Sequence, residues 1–478
     1  MKKLKLVFLD TSLFRISYML CLFFCTIMYV EKAAYIMIYG LFVWGLALTV
    51  YKLVVQKVYK KMYLGIWLIA FLVSFLITTL ININLEFNTL AFNLFMLMHC
   101  AICFFMFYGI NTEQGVPFRW ELYLVARLFV YLSTVFTVVG LVFMLFTAGI
   151  FDDYMYFNGE VFKGFYTNPN YQGYVSALSV IFCHMLTKPN FIVNSGQKRV
   201  SRIWLVSCIL FNCVALLLCD SNGSLLLLVV YTALIVLMKF FSMIEDLTPR
   251  KIISRFAMLV IIGIVVLALM MFVRVFCRIG VAAFFSDSGL SQSQIEDLSS
   301  DALFIPSQDS GFTSRWFLWD AGVKIFRHNP IFGIGKGNLY NAIVEVTGKT
   351  NLYSHFEGLH LIAYTDLHNG FLTILVTAGI VGAALFAVFI VRYLMMILPV
   401  WYVQRRIMVY SVYPCLLAFI GAYFCYALIE KTVLFDLTYL VISFWLILGY
   451  TSCYALDFGY MRRGNFYVFG KEIHRKLI

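Results

Sequence analysis

Charge is scarce in this chain. Only 13% of its 478 residues are Asp, Glu, Lys or Arg, about half the share carried by a soluble domain. That scarcity excludes a soluble fold, because no such fold could hide a composition that is 62% hydrophobic. A small-residue cleavage site is also missing before Glu31. The run Ile16 to Val30 follows Lys2, Lys3 and Lys5 in the manner of a secretion signal, yet is expected to stay as a first membrane span. No alternation of strand and helix surrounds the glycines near residue 335, which argues against a dinucleotide-binding fold. No repeat relates the two halves, which argues against a transporter built on paired halves.

What is present is a succession of apolar runs, each close to the roughly 20 residues that a helix needs to cross hydrocarbon. Their spacing predicts an all-α, polytopic transmembrane helix bundle forming one membrane domain over residues 1–478. About twelve spans are expected, near 16–30, 33–51, 62–81, 90–110, 122–149, 171–187, 203–219, 225–243, 257–276, 369–391, 408–428 and 433–452. The basic residues settle an orientation. Lys52, Lys57, Lys60 and Lys61, then Lys198, Arg199 and Arg202, Arg405 and Arg406, and Arg462, Arg463, Arg475 and Lys476 fall on one side. By the positive-inside rule that side, with both termini, is cytoplasmic. The net charge of +12 is then explained by topology and anionic lipid, and nucleic acid is not a partner. Most of the twelve cysteines lie in apolar runs, where Cys packs as a small hydrophobe. His99, Cys100 and Cys103 are read as core in this way rather than as a metal or redox site.

Two extracytoplasmic loops interrupt the pattern. The smaller, 150–170, contains Asp152, Asp153 and Gly164 to Asn170, with Asn168 to Asn170 suited to capping the sixth span. The larger, 277–368, precedes the tenth span, and long loops tend to carry function. In it Thr313 or Ser314 is expected to cap a helix with Trp316, Trp319, Val323 and Phe326 on one face, stopped by Asn329-Pro330. That helix either lies on the outer bilayer surface or packs on the bundle. Next come Gly333, Gly335 and Gly337, spaced as a phosphate cradle or a tight turn would be, with Lys336 among them. His355, Glu357 and His360 are considered as zinc ligands and set aside, because neither spacing nor a fourth ligand is compelling.

Three patches, in order, resemble the O-antigen ligase and O-antigen (polysaccharide) polymerase superfamily of bacterial membrane glycosyltransferases. They are Ser314-Arg315-Trp316 with Trp319, His328-Asn329-Pro330, Phe332-Gly333-Ile334-Gly335 and Gly337-Asn338; then His368-Asn369-Gly370-Phe371-Leu372 with Gly379-Ile380-Val381-Gly382; and, upstream, Gly164 to Asn170. One departure is Ser221-Asn222-Gly223, where the family often has Ser-Arg-Gly; Arg274 or Arg278 would then have to supply the missing cation. The resemblance implies an enzyme of the bacterial cytoplasmic membrane that joins polyprenyl-diphosphate-linked glycans on the extracytoplasmic face. It implies a surface polysaccharide polymerase first, with transfer to a lipid core or a protein as the alternative and a glycolipid flippase as a further one. His368 would be the general base and Arg315 the catalytic cation; Arg315, Arg274, Arg278 and Lys336 would bind the donor diphosphate, supported by Trp316, Asn369, Gly333, Gly335 and Asn170. No metal and no cofactor is called for. The partners implied are the lipid-linked donor, a glycan, glycolipid or protein acceptor, the bilayer, and other polysaccharide-assembly proteins.

Overall fold

A computed structural model describes residues 8–83, 87–113, 118–146, 157–158, 161–188, 200–243, 311–348, 366–460, 466–468 and 471–473, with scattered positions between 250 and 276. The chain is helical through nearly all of these. The helices are α1 (Thr11–Phe24), α2 (Glu31–Val54), α3 (Gly65–Ile81), α4 (Phe87–Ile102), α5 (Phe118–Phe146), α6 (Pro169–Leu186), α7 (Arg202–Leu218), α8 (Asn222–Met243), α9 (Gly311–His328), α10 (Leu339–Thr347), α11 (Gly370–Met408), α12 (Tyr413–Ala427) and α13 (Tyr439–Tyr460). Two short antiparallel hairpins join them, β1 (Phe157–Asn158) with β2 (Val161–Phe162) and β3 (Phe466–Val468) with β4 (Lys471–Ile473).

Among the described residues, six helical stretches are long and apolar enough to cross a membrane: Glu31–Val54, Thr89–Thr112, Phe118–Met144, Asn222–Met243, Gly370–Met408 and Tyr439–Leu456. Four shorter apolar helices, α1, α3, α7 and α12, run among them. Apolar side chains such as Ile36, Val43, Val50 and Ile203 stay exposed on this bundle, as lipid-facing positions require. The protein is therefore a multi-pass membrane protein.

Local sequence sets several helix starts. Asp10 caps α1 by accepting the Ser12 and Leu13 N–H groups, both at 3.0 Å, so the first helix begins before the expected Ile16 and ends at Phe24. Asn369 caps α11 in the same way, and Asn168 with Pro169 opens α6. The last span also differs from expectation. Residues 428–438 are a loop holding Glu430, Lys431 and Asp436, and helix resumes only at Tyr439.

The end of the bundle that holds residues 24–31, 163–169 and 428–438 is called the upper end below. Here the turn between α1 and α2 pairs with the segment before α6, Met28 N–H donating to Phe165 O at 2.8 Å and Thr167 N–H to Thr26 O at 3.0 Å. At the lower end Arg15 is buried among carboxylates. It donates to Glu121 at 2.6 and 2.7 Å and to Glu113 at 2.8 and 3.0 Å, while Lys52 also bonds Glu113 and the Tyr450 hydroxyl donates to Glu121 at 2.8 Å. Near the lower end of α1, Arg15 thus ties α1, α2, α5, α13 and the turn after α4 together.

The helix α11 is broken. Gly379 has φ +65° and ψ −174°, so one turn of the hydrogen-bond ladder is lost. A turn and loop, Pro330 to Gly335, fill the gap. Ile334 N–H donates to Val376 O at 3.1 Å and Gly335 N–H to Thr377 O at 2.9 Å; Ile380 N–H donates to Pro330 O at 2.8 Å and Val381 N–H to Ile331 O at 3.2 Å. Backbone groups opened by the break are thus satisfied, as any break at membrane depth requires. A Cβ on Gly333 would lie 2.5 Å from Val376 O, and one on Gly379 2.2 Å from Ile331 O, so the approach admits only glycine.

Candidate active site

Arg315, His368 and Glu430 meet at the upper end. Arg315 sits in the second turn of α9, a helix held down by Leu318, Ala321 and Ile325. That buried face lies beside the aromatic stripe rather than on it. Trp316 and Val323 are exposed, and the face that packs carries Leu318, Gly322 and Ile325 against Leu367 and Leu372. Leu318, Ile325, Ile334, Leu339, Ile343, Leu367 and Val376 form a small apolar core of their own, which seats α9 and α10 on α11. The helix also starts at Gly311, ahead of Thr313 and Ser314.

His368 lies just before the Asn369 cap of α11, with φ +45°, a left-handed conformation that turns the chain out of the loop into the helix. Its Nδ1 is 3.3 Å from one oxygen of Glu430, and the other oxygen accepts from Arg315 Nη2 at 2.8 Å. The Glu430 backbone, though not its carboxylate, is anchored by its own carbonyl, which accepts the Gly370 N–H at 3.0 Å. The carboxylate is therefore shared between a guanidinium and an imidazole. The side chains of Arg315 and Glu430 are mostly buried, whereas that of His368 is 40% exposed. With Nδ1 facing a carboxylate, the ring's Nε2 is the nitrogen left to exchange a proton with the outside.

Lys336 is placed differently. It and Asp366 are both buried and form an ion pair, and Asp366 also accepts from Thr373 Oγ1 at 3.0 Å and Leu367 N–H at 2.8 Å. Burial pushes the Asp366 carboxyl up, but Lys336, Lys431 and the nearby His368 overcome it and hold Asp366 well below the usual carboxylate range. The Lys336 ammonium thus faces inward, anchoring the glycine-rich stretch beside His368. Asp436, 3.8 Å from Lys431, is the main cause that raises the Lys431 ammonium above its ordinary range, against the opposing effect of burial.

The remaining expected residues are distributed as follows. Gly333 and Gly335 line the break in α11, where the tight approach is to backbone and to Asn93. Asn369 caps α11 and Asn170 lies exposed in the first turn of α6, its N–H bonded to the Asn168 side chain. Trp316 packs edge-on against Trp319 with ring centroids 5.0 Å apart. Arg274 and Arg278, together with Asp152, Asp153, His355, Glu357 and His360, lie outside the described residues. His99, Cys100 and Cys103 are fully buried in the bundle, with His99 Nε2 3.1 Å from the Asp436 carbonyl. The turn at Ser221 to Gly223 lies against this end of α12, since a Cβ on Gly223 would meet Tyr426 and Ile429.

Glu430 is the residue that sequence reasoning passed over. A signal existed: it is one of only 24 acidic residues, in a short turn between two spans at the end that holds His368.

Residues 206–387 match the sequence family described as O-antigen ligase, a stretch that includes Arg315, Lys336 and His368 and stops short of Glu430. No curated protein matches the sequence.

Proposed function

We propose, from the match of residues 206–387 to the O-antigen ligase family, that the chain is a glycosyltransferase joining lipid-diphosphate-linked glycans at the upper end of the bundle. The observation that carries this reading is the meeting of Arg315 and His368 on the two oxygens of Glu430. A fixed cation and a base beside one another are what transfer from a diphosphate donor needs.

In the proposed reaction a hydroxyl oxygen of the acceptor attacks the anomeric carbon of the donor. The bond from that carbon to the diphosphate oxygen breaks as the new glycosidic bond forms. His368 Nε2 takes the hydroxyl proton, and the lipid diphosphate leaves with its charge against Arg315. The guanidinium presents a planar fork suited to phosphate oxygens and needs no rearrangement as charge develops. Arg274 and Arg278 are proposed as further diphosphate contacts. Lys336, turned towards Asp366, is proposed to act by holding the glycine-rich stretch. Because Arg315 supplies the cation, the reading uses no divalent metal.

The sequence charge pattern supports a topology of about twelve spans in a bacterial cytoplasmic membrane, with both termini inside, so that the upper end is extracytoplasmic. The donor there is proposed to be a polyprenyl-diphosphate glycan. We take the product to be a longer lipid-linked polysaccharide. Transfer to a lipid core is the second reading, favoured by the description of the family that residues 206–387 match.

Purified protein given a lipid-diphosphate glycan and acceptor tests the proposal. His368→Ala should lower product formation by about 10²- to 10⁴-fold, the usual worth of a general base, while donor binding persists. Chelator should leave the wild-type rate unchanged. Near-normal turnover by the Ala variant would remove His368 from catalysis. Transbilayer movement of glycolipid without any new glycosidic bond would point to a flippase instead. Product length on the two acceptors separates polymerase from ligase.

A further inference from the structure

Glu430 touches both members of the proposed pair, and the two contacts are unequal: 2.8 Å to Arg315 and 3.3 Å to His368. A guanidinium hydrogen-bonded to a carboxylate oxygen draws electron density from the whole group, so the imidazole faces a carboxylate that is already largely compensated. A diphosphate arriving at Arg315 changes that balance. It carries more negative charge than Glu430 and offers paired oxygens to the same fork.

We infer that Glu430 is a positioning residue whose carboxylate is handed from Arg315 to His368 when the donor diphosphate binds. Released from the guanidinium, the carboxylate holds the Nδ1 proton and aims Nε2 at the acceptor. The base is thus completed only when a donor is in place, and acceptor hydroxyls or water meet a weaker base in the empty site. No covalent bond changes in the hand-over; one hydrogen bond exchanges partners.

The surroundings support Glu430 as the group that moves. His368 contacts Glu430 from the loop between α12 and α13 and interacts with Asp366 just before it in the chain; Glu430 in turn meets Arg315 of α9, Lys431 and Tyr426 of α12. Asp366 is committed to Lys336, Thr373 and a backbone N–H, and Lys431 is 3.8 Å from Asp436. Among these carboxylates Glu430 is the one shared between the proposed cation and the proposed base. Glu430 lies outside the segment that matches the family, 206–387, so the inference rests on tertiary contact.

The inference depends on the roles of Arg315 and His368 given above, and the test separates the two. Glu430→Gln keeps the size and removes the charge. The hand-over predicts that kcat falls by at least about 10-fold, since removing the group that orients a histidine costs about 10- to 100-fold at metal sites and about 10⁴-fold in a catalytic triad. The donor KM should stay level or fall, because Arg315 loses a competitor. The acid limb of the pH–rate profile should move to lower pH, because a neighbouring carboxylate favours the protonated imidazole and its loss disfavours it. Glu430→Asp keeps the charge on an arm too short to serve both partners, so its kcat should lie between Gln and wild type while the acid limb stays near the wild-type position. If Glu430 merely tethers Arg315, the Gln variant will raise donor KM and leave both kcat and the acid limb in place, which overturns the inference. Should the Gln variant fail to accumulate, wild-type kcat in the Asp variant overturns it equally. Normal turnover in His368→Ala would sink the underlying reading instead, whatever the Glu430 variants do.

Discussion

At the scale of single residues, the site depends on which charged groups are held outward and which are turned in. Arg315 has one N–H on Glu430 and the geometry of a fork, so a charge-preserving change tests the fork alone. Arg315→Lys should cut turnover strongly and raise donor KM while expression and membrane insertion remain normal; wild-type kinetics would take Arg315 out of diphosphate binding. Lys336 poses the opposite case. Its ion pair with Asp366 is buried on both sides, and removing one partner of such a pair costs about 3–5 kcal/mol, since the other charge is left without compensation. Asp366→Asn should therefore lower the thermal midpoint of the detergent-solubilised protein. The pH dependence has a definite sign. Asp366 is held below its unfolded range, so its contribution is complete above about pH 4 and is lost as pH falls below that value. The wild type should lose thermal stability on acidification through that window, and Asp366→Asn should lose less; equal acid sensitivity in the two proteins would mean the pair contributes nothing to folding.

At the scale of elements, the glycine-rich stretch acts as a clasp in a membrane helix. Its spacing alone is equally compatible with a phosphate cradle, because both demand close approach of backbone and positive φ. The partner decides between them, and here it is the open ladder of α11 at Val376 to Val381. Gly333→Ala would set a Cβ 2.5 Å from a carbonyl oxygen at φ +70°, whereas a Cβ on Gly348, also at positive φ, meets nothing within 4 Å among the described residues. The Gly333 variant should unfold or lose activity together with its packing, and Gly348→Ala should cost only backbone strain, on the order of 1–2 kcal/mol. Equal stability of the two by thermal melt would mean that the break in α11 does not need the clasp. The aromatic stripe of α9 teaches a related point. Trp316, Trp319, Val323 and Phe326 recur at helical spacing, yet the helix buries a neighbouring face, because the small residues Ala321 and Gly322 let it sit close to Leu367 and Leu372.

At the scale of the whole molecule, the two ends are built differently. The lower end is closed by the Arg15, Lys52, Glu113, Glu121 and Tyr450 network. The upper end carries α9, α10 and the loop with Glu430, and leaves His368 partly exposed. Orientation in the membrane then decides which compartment supplies the substrate. In a cysteine-depleted background, a single cysteine at Gly348 should react with an impermeant thiol reagent applied outside, and one at Lys60, at the lower end, should not. Labelling in the reverse sense would put the proposed site in the cytoplasm, where a lipid-linked glycan awaiting polymerisation is not expected.

Much was legible in the order of residues alone. Multi-pass helical character follows from length and apolarity, because a segment in lipid must satisfy its own backbone hydrogen bonds whatever its neighbours do. Asn168 could be read as a cap, since capping is a contact over two or three residues. Arg315 and His368 stand out only through the resemblance of the short motifs around them to a known family, motifs that fall within 206–387. What the chain order could not disclose is which distant charges meet. Glu430 lies 115 residues from Arg315 and 62 from His368, and the inward turn of Lys336 depends on Asp366, 30 residues away. Periodicity reports the face of a helix; it carries no information on which loop closes over that face. Those pairings were decided by helices packing side by side, which brings the turns at one end of the bundle into contact regardless of their distance along the chain.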